Sequence, residues 1–206
     1  MTFIVVNFIF IILIFLISAV IARILIPRIL LISLRKKLFD IPDDRKVHKR
    51  AIPRLGGVSF FPTTLFAFCL VYTFRLLGGD SVSTLYASYL LPELLLFACG
   101  MTLLYLTGIA DDLVGVRYRQ KFVIQIFCAC LFPLSGLWIN DLYGLFGIHE
   151  LSVYVGIPFT ILTVVFITNA INLIDGIDGL ASGLSSVALL IFTFLFIEKG
   201  LWSYAM

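Results

Sequence analysis

Residues 3–22 have the sequence FIVVNFIFIILIFLISAVIA, in which Asn7 and Ser18 are the polar positions and no side chain is charged. An α-helix needs about 20 mostly apolar residues to cross the hydrocarbon core of a bilayer. A secretory signal peptide is the alternative interpretation, but no Lys or Arg precedes the run and no small-residue cleavage site is evident. The segment is therefore predicted to be a first membrane-spanning helix that continues to about Ile26.

The composition of the whole chain supports a membrane protein. Apolar residues make up 61% of the 206 residues and charged residues 13%, whereas a typical soluble domain is about a quarter charged. A soluble globule of this size could not bury so much apolar surface, and disorder is excluded by the same composition. The predicted fold class is all-α, with residues 1–206 forming a single transmembrane domain in a lipid bilayer. No nucleic-acid partner is expected, and a homodimer is left open.

Five further apolar runs give six predicted spans, and the basic residues orient them. The further runs are 55–74, 85–110, 122–140, 151–168 and 179–197. Thirteen of the 15 Lys and Arg lie within 23–54 and 117–121, which fall on one side of the membrane. Basic loops are normally cytoplasmic, so the N-terminus is predicted to be periplasmic and loops 27–54, 111–121 and 169–178 cytoplasmic.

Two acidic segments lie on the predicted cytoplasmic side. Asp111 and Asp112 follow the third span, and adjacent carboxylates are costly near lipid unless they face a cation or a polar cavity. Asn169, Asn172, Asp175 and Asp178 recur every three residues, a spacing that places them on one face of a helix. Their oxygen atoms suit Mg²⁺. The alternatives are a solvated helix end for the first pair and a glycine-rich turn for the second segment.

The first loop contributes basic side chains to the same side, with Arg45, Lys46 and His48 in sequence. Taken alone, such a cluster is usually an orientation signal or a contact with anionic lipid. Beside acidic groups that hold a metal ion, however, basic groups that neutralise phosphate indicate phosphoryl transfer. The sequence contains neither a P-loop nor a G-x-G-x-x-G motif, so neither an ATPase nor a dinucleotide site is supported.

Three sequence patterns occur in order along residues 40–183, and together they point to one family. Their positions are Asp40, Pro42, Arg45, Lys46, His48, Pro53, Gly56 and Gly57; then Asp111, Asp112, Lys121 and Gln125; then the complete run 169–181. The chain thereby resembles the polyprenyl-phosphate N-acetylhexosamine-1-phosphate transferases, bacterial inner-membrane enzymes of glycosyltransferase family 4. The loop ending at residues 52–57, Ile-Pro-Arg-Leu-Gly-Gly, resembles the branch that uses UDP-GlcNAc rather than the phospho-MurNAc-pentapeptide branch.

The resemblance implies a reaction and a set of site residues. N-acetylglucosamine-1-phosphate, or a related hexosamine 1-phosphate, would pass from a UDP-N-acetylhexosamine to undecaprenyl phosphate with release of UMP, as the first membrane step of cell-envelope polysaccharide synthesis. Mg²⁺ is the implied cofactor, with Mn²⁺ as an alternative. The implied roles are catalytic for Asp111 and Asp112, metal-binding for Asn172 and Asp175, and substrate-binding for Arg45, Lys46, His48, Lys121, Asn169, Asp175 and Asp178.

The chain also departs from the family pattern, because a later M-G-D-x-G-S loop is missing. It resembles the N-terminal part of a longer enzyme with ten or eleven spans, and the 206-residue chain is expected to be inactive alone. A non-catalytic fragment is therefore an alternative function. A cation transporter is a less favoured one, because its polar residues should lie near the middle of the membrane on at least two helices.

The predicted orientation can be tested by labelling single cysteines in a cysteine-free variant. A cysteine at position 146, in the loop 141–150 that is predicted to be periplasmic, should react with an impermeant reagent added to intact cells. Cysteines at positions 48 and 117 should react only after permeabilisation, because of the basic asymmetry. Reaction of position 48 or 117 in intact cells would contradict the orientation.

Overall fold

The computed structural model describes residues 2–40, 52–53, 55–78, 81–177 and 179–206, with the backbone alone for 2–3, 39–40, 52–53 and 81–89. Within these residues the chain forms long helices and one small antiparallel sheet. The elements are α1 (Thr2–Arg35), β1 (Phe39–Asp40), β2 (Ile52–Pro53), α2 (Phe60–Leu77), α3 (Ser81–Val114), α4 (Tyr118–Leu134), α5 (Val153–Ile174), α6 (Leu180–Glu198) and α7 (Trp202–Ala205), with short 3-10 turns at Gly56–Ser59 and Leu145–Gly147. In the sheet, Phe39 pairs with Pro53 and Asp40 with Ile52.

The all-α membrane class is confirmed. Among the described residues, five helical segments are long and apolar enough to cross a bilayer, namely 4–35, 56–77, 90–114, 153–174 and 180–198. Each coincides with a predicted span. The first helix is longer than predicted, since it passes Ile26 and ends at Arg35 with Pro27 inside it.

The predicted count of six spans is not confirmed, because the fourth run forms a shorter helix than expected. The run 122–140 is predicted to span, but α4 ends at Leu134 after 17 residues, a length of about 25 Å against a hydrocarbon core of about 30 Å. Pro133 lies in its last turn, and Gly136 follows with a φ of +91°. The apolar residues after Leu134 therefore continue as non-helical chain.

The chain divides into two compact units. The first comprises residues 1–83 and 174–206. In its core, Ile14 of α1 packs with Ala67 and Val71 of α2, and Ala67 is completely buried. A small residue at this position permits close approach of two membrane helices. At another point of this unit, the Arg75 guanidinium donates to the Ser203 hydroxyl of α7 at 2.9 Å.

The second unit, residues 84–173, contains most of α3 together with α4 and α5. Cys128 of α4 donates to the carbonyl oxygen of Gly100 on α3 at 3.4 Å, and the rings of Phe97 and Phe132 meet edge to face at 6.2 Å. Later residues of α4 thus contact earlier residues of α3, so these two helices are antiparallel.

The chain that follows α4 contacts the first half of α5. The Ile139 N–H, beyond α4, donates to the Thr160 hydroxyl of α5 at 2.9 Å. One turn earlier on α5, a Cβ added to Gly156 would overlap the indole ring of Trp138 and lie 2.6 Å from the Ile139 carbonyl oxygen. Glycine at 156 therefore lets α5 approach the chain that follows α4.

Replacement of Gly156 by alanine tests this close approach. Gly156→Ala should lower the free energy of unfolding by about 1–3 kcal/mol, because the added methyl group forces the backbone and the Trp138 ring apart. Thermal unfolding of the detergent-solubilised protein measures the change. Gly108→Ala is the matched control, because Gly108 is a helical residue of α3 whose added Cβ would meet nothing within 4 Å. An unfolding temperature for Gly156→Ala equal to that of the control would contradict the packing.

Candidate active site

The turn between α3 and α4 brings two helix ends together. Gly115 has a φ of +76°, a conformation that favours glycine, and its N–H donates to the Asp111 carbonyl oxygen at 2.9 Å. Arg117 is extended, and α4 begins at the next residue. This short connection places the first turn of α4 beside the last turn of α3.

Asp111 uses the carboxylate to join these two turns. One oxygen forms an ion pair with the Lys121 ammonium of α4, and the other accepts a hydrogen bond from the Val116 N–H at 3.0 Å. The side chains of Lys121 and Asp111 are 36% and 33% exposed, so solvent screening limits the net value of the pair to about 1 kcal/mol or less. The carboxylate is nevertheless held in one place by two donors, with the partly buried Asp112 next to it.

The carboxyl-terminal part of α5 meets α4 through a second polar contact. Asn169 Nδ2 donates to Gln125 Oε1 at 2.8 Å and to the Val165 carbonyl oxygen at 2.8 Å. In return, Gln125 Nε2 donates to Asn169 Oδ1 at 3.4 Å. Gln125 follows Lys121 by one helical turn, so the structure brings residues of two predicted motifs to the same end of the second unit.

Asn172 and Asp175 lie at the carboxyl end of α5. Asn172 is in its last turn, Asp175 follows its final residue, and both are exposed. Among the described residues neither side chain has a hydrogen-bond or ion-pair partner. The carboxyl end of a helix carries a partial negative charge, so an acidic side chain there is disfavoured unless a cation is near. This location has the charge and the oxygen atoms that suit a metal cation.

Other predicted site residues lie outside the described part of the chain, namely Arg45, Lys46, His48 and Asp178. Within the part that is described, no group of three or more His, Cys, Asp or Glu side chains is arranged to hold a metal ion. The metal ligands and the substrate-binding and catalytic roles therefore stay predictions. The structure gives a contact to Gln125, a residue that the sequence patterns left without a role. Gln125 lies four residues after Lys121 and so on the same helical face, and this spacing could have indicated that it belongs to the site.

Gln125 also lines a cavity of about 120 Å³ among α3, α4 and α5. Its lining is mostly apolar, and its polar members are Glu93, Gln125, Ser135 and Thr168. The polar contacts described above therefore adjoin an apolar interior.

Comparison with known proteins places these features in a wider context. The family model for glycosyl transferase family 4 matches residues 94–206, which include α4, α5 and the Asp111–Lys121 pair. No solved structure matches the chain.

The chain is similar to several bacterial enzymes. It is 31% identical over 159 residues to the probable undecaprenyl-phosphate N-acetylglucosaminyl 1-phosphate transferase of Bacillus subtilis, covering 77% of this chain and 40% of that protein. It is 30% identical over 182 residues to the undecaprenyl-phosphate alpha-N-acetylglucosaminyl 1-phosphate transferase of Yersinia pestis, with coverages of 85% and 46%. It is 32% identical over 155 residues to the phospho-N-acetylmuramoyl-pentapeptide-transferase of Staphylococcus carnosus, with coverages of 68% and 44%. The chain thus spans less than half the length of each relative.

Proposed function

The chain belongs to glycosyl transferase family 4, and on that basis we propose that the protein transfers a sugar 1-phosphate from a nucleotide sugar to a polyprenyl phosphate. The observation that carries the proposal is the family match over residues 94–206, a region in which the Asp111–Lys121 pair and the Gln125–Asn169 contact lie at one end of a helical unit. Polar groups gathered at a helix end can meet a water-soluble nucleotide sugar and a lipid phosphate at the same place.

We propose UDP-GlcNAc as the donor and undecaprenyl phosphate as the acceptor, with release of UMP. Two relatives described above are named as undecaprenyl-phosphate N-acetylglucosaminyl 1-phosphate transferases, and the Ile-Pro-Arg-Leu-Gly-Gly sequence at 52–57 agrees with that branch. The second candidate donor is UDP-MurNAc-pentapeptide, because a third relative is a phospho-N-acetylmuramoyl-pentapeptide-transferase. For either donor, we propose that the protein lies in the bacterial inner membrane with its site on the cytoplasmic face.

In the proposed reaction, an oxygen of the lipid phosphate attacks the phosphorus that carries the sugar. A new P–O bond forms, the P–O bond to UMP breaks, and UMP leaves with that electron pair. A phosphate monoester has a second pKa of about 6 and is mostly dianionic at neutral pH, so a general base can contribute little. The two donors that hold the Asp111 carboxylate support a positioning role for Asp111, with Asp112 beside it. Lys121 would offset negative charge on the phosphates.

Asn172 and Asp175 are the proposed ligands of Mg²⁺, or of Mn²⁺ as the alternative. Their oxygen atoms and their position at the negative end of α5 suit a hard divalent cation. When bound, the ion would polarise the diphosphate and stabilise the departing UMP.

Arg45, Lys46 and His48, with Asp178, are proposed to bind the substrates from outside the described residues.

Two other functions remain as alternatives. A cation path through the membrane would need acidic or amide side chains near the middle of at least two spans, whereas Asp111, Asp112, Asn172 and Asp175 lie at helix ends. A non-catalytic fragment is the other alternative. Transfer of labelled GlcNAc-phosphate to undecaprenyl phosphate by a protein of full family length that carries this sequence, in membranes that lack the native enzyme, would distinguish an enzyme from both alternatives.

Substitution of the proposed metal and phosphate residues gives the quantitative test. In a protein of full family length that carries this sequence, Asp111→Asn, Asp112→Asn, Asn172→Ala and Asp175→Asn should each lower turnover at least about tenfold, since loss of about 1.4 kcal/mol of transition-state stabilisation suffices. The assay compares UDP-GlcNAc with UDP-MurNAc-pentapeptide as donors.

Two residues of the loop at 141–150 provide controls. Asp141→Asn is the matched carboxylate-to-amide change, because Asp141 is a loop residue whose side chain accepts from the Tyr143 N–H, a bond that Asn can keep. His149→Ala removes an exposed imidazole. Both should leave turnover within about twofold of the unsubstituted protein. Unchanged turnover in the four site variants, together with a loss in either control, would disprove the site assignment.

A further inference from the structure

The amides of Gln125 and Asn169 bind each other across α4 and α5. A primary amide has two N–H donors. Asn169 uses its two on Gln125 Oε1 and on the Val165 carbonyl oxygen, each at 2.8 Å. The Asn169 amide therefore has no N–H left for a substrate, and its oxygen already faces Gln125 Nε2 at 3.4 Å.

The Gln125–Asn169 contact fixes the positions of Lys121 and Asn172 relative to each other along the two helices. Ile139, after α4, contacts Thr160 early in α5, whereas Gln125 contacts Asn169 late in α5, so α4 and α5 are antiparallel. Lys121 and Asn172 therefore lie in the same direction from the Gln125–Asn169 contact. Lys121 precedes Gln125 by four residues, about 6 Å along α4, and Asn172 follows Asn169 by three residues, about 4.5 Å along α5. A shift of α5 along α4 would therefore move Asn172 relative to the Asp111–Lys121 pair.

We propose that Gln125 and Asn169 are positioning residues, which together we call the amide clasp. The clasp fixes the register of α5 on α4 and so holds Asn172 at the level of the Asp111–Lys121 pair. Asn169 then acts through Gln125 and not by direct contact with the nucleotide sugar. The inference rests on the proposed function for its kinetic consequences.

The physical reason for a clasp is the surrounding lipid. Between two membrane helices, apolar contacts gain no hydrophobic driving force over contacts with lipid tails, and interhelical hydrogen bonds contribute to association. Two amides that satisfy each other oppose a shift of α5 along α4, because separation leaves polar groups without partners. A misplacement of about 1 Å at a reacting centre can lower the rate by a factor of about 100.

The test combines four variants with one control in the protein of full family length. Gln125→Met and Asn169→Leu are close to isosteric and remove the amides singly, and a third variant carries both changes. The exchange variant, Gln125→Asn with Asn169→Gln, keeps one amide on each helix. Gln120→Leu is the matched control, because Gln120 is an exposed glutamine of the same helix. The measurements are kcat and KM for UDP-GlcNAc, and the temperature of thermal unfolding.

The clasp predicts a particular pattern of kinetic losses. Each single variant should lower kcat at least about tenfold and change KM less than about threefold, because the groups that bind the nucleotide sugar are retained. The double variant should lose no more than the worse single variant within about twofold, because both changes remove one shared contact. The exchange variant should recover kcat to within about threefold of the unsubstituted protein, and Gln120→Leu should change neither constant.

Direct substrate contact by Asn169 predicts the opposite pattern and would overturn the proposal. Asn169→Leu would then raise KM, the losses of the two single variants would multiply, and the exchange variant would not recover. Unchanged kcat in a folded Gln125→Met variant would overturn it as well. If the single variants do not fold, recovery of folding and kcat by the exchange variant supports the clasp, and its failure to recover counts against the clasp.

Failure of the proposed function would give a different result. In that case the unsubstituted protein would transfer sugar phosphate from neither donor. The unfolding temperatures would then decide on the clasp alone: non-additive losses in the single and double variants would support it, and additive losses would refute it.

Discussion

The hydrocarbon core of a bilayer holds no water that could bind a peptide group, and the rest of this structure follows from that constraint. Backbone N–H and C=O groups must be satisfied within each spanning segment, which favours helices. The hydroxyl groups follow the same rule. Thr102, Thr107 and Thr163 each donate to the carbonyl oxygen four residues earlier in their own helix. The carboxylates of Asp111 and Asp175 lie where helices end.

The location of acidic residues at helix carboxyl ends has an electrostatic cost that shapes the candidate site. Asp111 and Asp112 belong to the last turn of α3, and Asp175 follows α5, so each lies in the negative field of a helix end. Lys121 offsets this field at Asp111. The described residues contain no comparable cation for Asp175, and that difference is the physical basis for proposing the metal ion there and not at Asp111.

Much of the fold was predictable from the sequence, because membrane helices are encoded by length and composition. The five segments that can span the bilayer coincide with predicted apolar runs. The predicted fourth span extends past the end of α4 because the residues after Leu134 are apolar, while Pro133 and Gly136 end the helix. The Gln125–Asn169 contact could not be predicted, since the two residues are 44 positions apart and their meeting depends on the register of two helices. Residue types alone indicated that the oxygen atoms of Asn172 and Asp175 could ligate a metal ion, but not which side chains contact each other.

Two polar contacts join the helices of the second unit, the Asp111–Lys121 ion pair between α3 and α4 and the Gln125–Asn169 contact between α4 and α5. One is charged and the other neutral, so they differ in sensitivity to ionic strength. The α3–α4 junction is an ion pair whose side chains are about one third exposed, and at 1 M salt the Debye length falls to about 3 Å. The α4–α5 junction is a pair of neutral amides, which mobile ions do not screen. Rising salt therefore weakens the Asp111–Lys121 ion pair, while the Asn169–Gln125 contact keeps its strength. Under those conditions the proposed metal end of α5 keeps its place on α4, and the Asp111 carboxylate keeps the Val116 N–H as its remaining donor.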